Sequence, residues 1–296
     1  MKASVVIPAH NGGSLFKSVI SSVFHQDFTD EWEIVVIDSE SKDGTYEFLE
    51  NCTLESPVEL KLLKTKKTEF KHGPSRNRAI RACRGEFVAL ITQDSIPFDE
   101  NWLECLIQGF DESDSVAGVF GSHLAHVGHA EVIKQEMKNH FNVMNSKVLR
   151  TSKEWRESEN DIRNRQILHF FSNNNSAIRR STFENFPFPP VNYGEDQVWA
   201  RIILEAGYSI RYQESAKVRH SHMFGLADTL KRKRTEDKYF KRYFGYSSRS
   251  SLTGATSGLA VRTWHDLKFS MKKNRPFDVL YVLKKNLAFY FAEIIK

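Results

Sequence analysis

The chain of 296 residues predicts an α/β fold with a mostly parallel central sheet, followed by a basic helical C-terminal region. Three observations carry this. Short β-branched runs alternate with helix-spaced segments through the first 120 residues. Asn, Gly and Asp collect where the strand runs end. Charge is unevenly spread: residues 231–296 hold 16 Lys or Arg against 5 Asp or Glu, while the rest holds 26 against 32. Such asymmetry fits an anionic or phosphate-rich partner, with a solvated helical face as the plainer explanation.

The elements follow in order. Residues 4–7, 33–37, 59–63 and 87–91 are strand-like runs, separated by helical stretches at 14–24, 45–51 and 75–83. This alternation predicts parallel strands with helices on both faces, and ligands of such sheets sit outside the carboxyl ends of the strands. Residues 99–110 read as a helix with Asp99 as N-cap, and 116–121 as a further strand. Residues 129–165 are polar and helical, and Pro187 to Pro190 mark a loop. A helix over 195–206 is stopped by Gly207, with strands expected at 208–212 and 216–222. The division expected is a catalytic domain over 1–225 and a basic helical region over 226–296.

In that last region Leu280, Leu283, Leu287, Phe291 and Ile294 recur every three or four residues and make an amphipathic final helix. With Lys284, Lys285 and Lys296 it suits an anionic membrane surface, packing onto the catalytic domain or against another subunit being the alternatives. Three cysteines, Cys52, Cys83 and Cys105, have no paired spacing and point to a reducing compartment. The first apolar run is too short for a signal peptide, and no stretch approaches the about 20 apolar residues of a membrane span. The location expected is cytoplasmic, peripherally on the inner face of the cell membrane.

Four constellations bear chemistry. In the first, Pro8, Ala9, His10 and Asn11 lead from a strand into Gly12 and Gly13, where small residues let a base or ribose approach the backbone. In the second, Asp38 leaves a strand and can accept from a base N–H or ribose hydroxyl, while Asp43 caps the next helix. The third runs from Lys71 through Arg76 to Asp94. Arg76 in the first turn of a helix can hold a diphosphate by two hydrogen bonds, or be a plain surface arginine. Asp94, at the end of a buried strand, is placed to hold a divalent metal against a phosphorylated ligand, or to cap the strand. In the fourth, Glu195 and Asp196 open a helix as caps or as a base, and His220 and His222 alternate on one strand face as possible metal ligands. His123, His126 and His129 read as surface or loop histidines.

Taken in order, residues 3–225 resemble the glycosyltransferase family 2 catalytic domain, and most closely its bacterial rhamnosyltransferase-like subgroup. His72-Gly73-Pro74-Ser75-Arg76-Asn77 resembles that subgroup's HG-x-x-RN motif, and Thr92-Gln93-Asp94-Ser95 its TQDA-type motif. Ser172-Asn173-Asn174, Gly194-Glu195-Asp196 and His220-Ser221-His222 match its pattern too. Ser39 stands where many family members carry a second Asp, and Gln93 where they carry the first Asp of a DxD. The resemblance implies a GT-A fold, Rossmann-like, and inverting transfer of a sugar from a nucleotide diphosphate donor, in this subgroup typically dTDP-L-rhamnose. The acceptor implied is a hydroxyl of a surface polysaccharide, O-antigen or capsule, or of its lipid-linked precursor.

Displacement at an anomeric carbon needs a base on the acceptor hydroxyl and stabilisation of the departing diphosphate. On this reading Asp196 is the base, with Glu195 as alternative. Asp94 holds Mg2+ or Mn2+, completed by His220 or His222, the imidazole favouring Mn2+. Pro8, Ala9, His10, Asn11, Asp38, Arg76, Gln93 and Asn173 bind the donor, Asn173 at the sugar hydroxyls or as a turn residue only. A nucleic-acid-binding protein is the first rival, since the basic region interleaves Tyr and Phe, though no nucleic acid is expected. A nucleotidyltransferase on a related sheet and a catalytically dead scaffold are the others.

Overall fold

The computed structural model describes residues 1–247, 251–273, 275 and 278–294. The chain divides into two compact units, Met1–Leu124 with Phe141–His220, and Ala125–His140 with Ser221–Lys296. The second unit therefore draws in a segment from within the expected catalytic region.

The first unit is built on nine strands among the described residues: β1 (Ala3–Ala9), β2 (Trp32–Asp38), β3 (Glu59–Lys64), β4 (Phe87–Ile91), β5 (Ile96–Pro97), β6 (Val116–Leu124), β7 (Leu149–Arg150), β8 (Asn175–Arg179) and β9 (Ser209–Arg219). Their order is β3-β2-β1-β4-β8-β6-β9-β5, with β7 on β9. The four strands β3-β2-β1-β4 are parallel, as the alternating pattern predicts. Every residue of β2 and β4 is buried, which is why residues 34–37 and Phe87–Ile91 read as continuous apolar runs rather than alternating ones, the buried Glu33 being ion-paired with Lys61. Helices α1 (Gly13–Phe24), α2 (Thr45–Glu55), α3 (His72–Arg81) and α4 (Trp102–Gln108) connect this half. Helix α1 buries Phe16, Val19, Ile20 and Val23, a stripe at helical spacing.

The other half is mixed. β8 lies antiparallel between β4 and β6, and β6 pairs parallel with β9. β8 carries no strand signal because it opens on Asn175 and Ser176, yet both are fully buried. Asn175 belongs in a core because its amide is satisfied: it accepts from Trp102 Nε1 at 2.7 Å and donates to the carbonyls of Ser122 and Ala216 at 3.0 and 2.9 Å. The two strands expected at 208–212 and 216–222 are one strand, β9, whose pairing with β6 slips between Gly121 and Ser122. β9 ends at Arg219, so His220 and His222 lie beyond it and strand alternation does not set their directions. Asp99 also differs from expectation: α4 starts at Trp102 after Asn101, and the Asp99 carboxylate accepts from the N–H of Asn101 instead.

Helices α5 (Glu131–Met144), α6 (Ser152–Glu157), α7 (Ile162–Leu168), α8 (Arg180–Asn185) and α9 (Glu195–Glu205) follow in the chain. Gly194, immediately before α9, holds φ 67°, a left-handed backbone that side chains other than Asn or Asp rarely accept.

The second unit comprises α10 (Leu226–Phe244), α11 (Leu252–Lys272) and α12 (Asp278–Ile294) with the first part of α5. Its apolar contacts join Ala130, Val132 and Ile133 to Val282, Leu267 and Tyr281. Lys285, expected to face an anionic surface, is turned inward at 4 % exposure. Its ammonium donates to Asp266 at 2.9 Å and to Glu136, and the amide of Asn286 shares the Asp266 carboxylate. A charge this buried is stable only with such partners. Lys296 lies outside the described residues.

At the β6–β9 slip, a methyl group on Gly121 would overlap the Ala216 carbonyl and the Asn175 amide. Gly121→Ala is expected to lower stability by about 1–3 kcal/mol, read as a lower urea midpoint with unchanged slope. Gly128→Ala, where an added Cβ meets nothing within 4 Å, is the near-neutral comparison.

Candidate active site

The carboxyl ends of β1, β2 and β4 come together through side-chain-to-backbone bonds. Gln93 bonds the backbone of His10 reciprocally: its carbonyl accepts the His10 N–H at 2.7 Å, and its amide donates to the His10 carbonyl at 3.2 Å. Asn11, at φ 47°, accepts the Lys42 N–H at 2.8 Å, and its own N–H donates to Ser41 Oγ at 2.9 Å. Gly12 and Gly13 donate to Thr45 Oγ1 and to Asp43, at 3.0 and 3.1 Å. Asp43 also accepts the Thr45 N–H at 3.1 Å. The Thr45 hydroxyl above all, with the N–H groups of Thr45 and Gly13, holds its carboxyl below the usual carboxylate range.

Pro8, Ala9, His10, Asn11, Asp38 and Gln93 are thus gathered at one end of the parallel half. Asp38 is 1 % exposed and receives both the N–H and the hydroxyl of Ser41. Ser39, in the position of a second Asp in many family members, is equally buried.

A second cluster forms where α3 meets the start of α9. Asn77 is bound twice to the backbone of Phe188, donating to its carbonyl at 2.8 Å and accepting its N–H at 3.1 Å. Gly73 lies so close to the Pro189 carbonyl that no Cβ would fit. These contacts seat the 186–190 loop, and with it Gly194, against α3. Arg76, in the second turn of α3, is buried and ion-paired with Glu195, itself buried. The guanidinium is therefore committed to a carboxylate inside the protein, and Glu195, weighed as an alternative base, is locked in that pair. Asn173 Nδ2 adds a bond to Glu195 at 3.4 Å.

Asp196 is half-buried beside this pair. Its oxygens accept the N–H of Asn173 at 3.2 Å and of Gln197 at 2.9 Å. Loss of water and then the neighbouring Glu195 charge push its carboxyl up to about 7, against the opposing pull of Arg76 and the two N–H groups. Asn173, read as a contact to sugar hydroxyls or as a turn residue, holds both carboxylates and accepts from Ser176 Oγ at 3.2 Å. Asn77, which holds the 186–190 loop, was given no role in the sequence reading. Its signal was there, in the motif that supplied Arg76.

Asp94 and His220 meet as expected, Oδ2 to Nε2 at 3.6 Å. Asn174 Nδ2 lies 3.5 Å from the other ring nitrogen of His220. Asp94, His220 and His222 each offer one ligand atom, all within 4.8 Å of one another. One carboxylate and two imidazoles form a donor set able to hold a divalent ion, the imidazoles suiting a first-row transition metal better than Mg2+. His123 departs from its expected surface position: it is buried on β6, edge-on to the His220 ring at 5.4 Å between centroids. His126 and His129 do lie in a loop, where Ser221 Oγ accepts the His126 N–H and bonds His129 Nδ1 at 2.6 Å.

A mixed, mostly parallel sheet with polar residues gathered at its strand exits is the architecture of the GT-A glycosyltransferases. The chain belongs to Glycosyl transferase family 2, whose family model matches residues 4–186. It is rhamnosyltransferase-like within it: the O-antigen chain rhamnosyltransferase WbaN of Salmonella anatum is 30% identical over 250 residues, covering 81% of this chain and 70% of that protein. RfbN of Salmonella typhimurium, of the same description, is 29% identical over 248 residues, covering 82% and 71%. Among solved structures, the mannosyltransferase PcManGT of Pyrobaculum calidifontis, in complex with GDP-Man and Mn2+, superposes with TM-score 0.67 at 17% identity, covering 100% of this chain and 86% of that one. S. aureus TarS 1-349 in complex with UDP gives 0.58 at 17% identity, covering 99% and 90%. At that identity the two structures establish the fold. The nucleic-acid and nucleotidyltransferase readings gain no support from any of these.

Arg76→Met leaves the buried Glu195 charge unmatched and is expected to cost about 3–5 kcal/mol in urea unfolding, most of which Glu195→Leu on the same chain should restore.

Proposed function

We propose that this chain transfers a sugar, with inversion, from a nucleoside diphosphate donor to a hydroxyl of an O-antigen-type or lipid-linked glycan, rhamnose being the sugar favoured by the two rhamnosyltransferase relatives and dTDP-L-rhamnose the donor that the family resemblance implies. The observation that carries the reading is the placing of Asp196, at the start of α9 beside the buried Arg76–Glu195 pair and bonded by the N–H groups of Asn173 and Gln197, where loss of water and the Glu195 charge push its carboxyl up to about 7. A base acts best when its pKa lies near the working pH, because it is then both deprotonated and able to take a proton. Asp196 accepts the proton of the acceptor hydroxyl as its oxygen attacks the anomeric carbon, and the nucleoside diphosphate leaves from the opposite face.

Asp94, His220 and His222 would hold a divalent metal, which when bound supplies positive charge for the departing diphosphate. The cradle of Pro8, Ala9, His10 and Asn11, fixed by Gln93 and Ser41, lines the nucleotide, with Asp38 beneath it. Asn173 and Arg76 act from behind, on the two acidic residues, rather than on the donor. Acceptor recognition is assigned to the region between about Gly121 and Pro190, largely outside the donor motifs. Among the described residues no helix is long and apolar enough to cross a membrane.

The test is release of nucleoside diphosphate from a panel of nucleotide sugars with Mn2+ and an acceptor-bearing membrane extract; no release from any donor sinks the proposal. Asp196→Asn is expected to abolish turnover with donor affinity nearly unchanged, and lost donor affinity would move that residue to the donor site. Because the base must be ionised, kcat/KM should fall about tenfold per pH unit below about 7 and level off above it. For the metal, Asp94→Asn and His222→Ala should each weaken Mn2+ binding, measured calorimetrically, by more than about tenfold. Unchanged affinity in both would remove these residues from the metal site.

A further inference from the structure

Charge on the last two helices is sorted by side. Among the described residues 252–294 the carboxylates all turn inward: Asp266 receives Lys285 and Asn286, Asp278 accepts the Glu131 N–H at 2.9 Å, and Glu293 pairs with Arg262 at 3.3 Å. The outward side of α11 carries Val261, Trp264, Lys268, Met271 and Lys272, at the three-and-four spacing of one helical face. Val261, Trp264 and Met271 are 67%, 71% and 73% exposed, unusual for side chains of this size. Both lysines are exposed as well.

A face of large apolar groups interleaved with cations, and with no anion, has few complements. A second copy would meet it through a two-fold contact, which presents the same patch from both sides. That would set Lys268 and Lys272 against their own counterparts with no carboxylate between them. An anionic lipid surface matches both components: phosphates take the ammonium groups, and the acyl boundary takes the indole and thioether.

We propose that the outward face of α11 docks on an anionic lipid surface, Trp264 and Met271 entering the headgroup region and Lys268 and Lys272 binding its phosphates. This relocates the membrane contact from the final helix, whose Lys285 is buried. It does not rest on the sugar-transfer reading, since binding can be measured with no donor present.

The experiment is sedimentation of the full chain with vesicles of equal parts phosphatidylcholine and phosphatidylglycerol, against vesicles of phosphatidylcholine alone. The wild type is expected to sediment with the former only. Each lysine near such a surface is worth roughly fivefold in partitioning, so Lys268→Gln with Lys272→Gln should weaken binding about 25-fold, and high salt should do the same. Trp264→Ser with Met271→Ser should lower it by at least about tenfold. All four positions are exposed, so an unchanged urea midpoint shows that the variants are folded. Equal sedimentation with both vesicle types, none with either, or variants that bind like the wild type would overturn the proposal. So would a solution dimer that Trp264→Ser dissociates, which would make this face a contact between copies.

Discussion

The buried Arg76–Glu195 pair is the constraint on which the acidic end of the site depends. Moving two charges out of water costs several kcal/mol each, and their attraction recovers this only where geometry and extra hydrogen bonds are good. Asn173 supplies one such bond, and Asn77 fixes the distance between the helices by gripping Phe188. The pair is therefore poor as a source of stability but strong as a ruler. It sets where α9 begins, and so where Asp196 stands. It also sets what Asp196 feels: a negative neighbour that discourages ionisation, and a positive one behind it that limits the effect.

A different solution operates at the exits of the parallel strands. There the loops after β1 and β2 are held in shape by short side chains, Asn11, Ser41, Asp43 and Thr45, bonded to backbone. Gln93 performs for His10 what a neighbouring strand would, giving one acceptor and one donor. This explains a glutamine in the place of an acidic residue. A carboxylate could accept from the His10 N–H but would face its carbonyl unfavourably. Rigidity of this kind lowers the ordering cost of binding a ligand.

Much of this was legible in the sequence, for physical reasons. The parallel half announces itself because its inner strands, buried on both faces, are apolar over most of their length. The association of Asp94 with His220 and His222 was readable from motif order, although the strand alternation invoked for the histidines was not what brings them together. What stayed hidden were polar residues satisfied at long range. Asn175 looks like loop because nothing local tells of Trp102, Ser122 and Ala216. Arg76 looked available to a ligand because its partner lies in a distant part of the chain. Lys285 looked like surface for the same reason. A side chain's type shows what it can bond, whereas only the tertiary fold shows with what.

The central place of β8 has a bearing on how the molecule is made. β4 is complete early in synthesis, yet its open side is closed by β8, and β6 pairs β8 on the other flank. Until Asn175–Arg179 leaves the ribosome, β4 presents an unpaired apolar edge to whatever surrounds it, the condition under which nascent chains associate wrongly. The polar start of β8, so unlike a core strand, then suits a late arrival: Asn175 and Ser176 stay hydrated while waiting, and exchange water for protein partners only when the sheet closes over them.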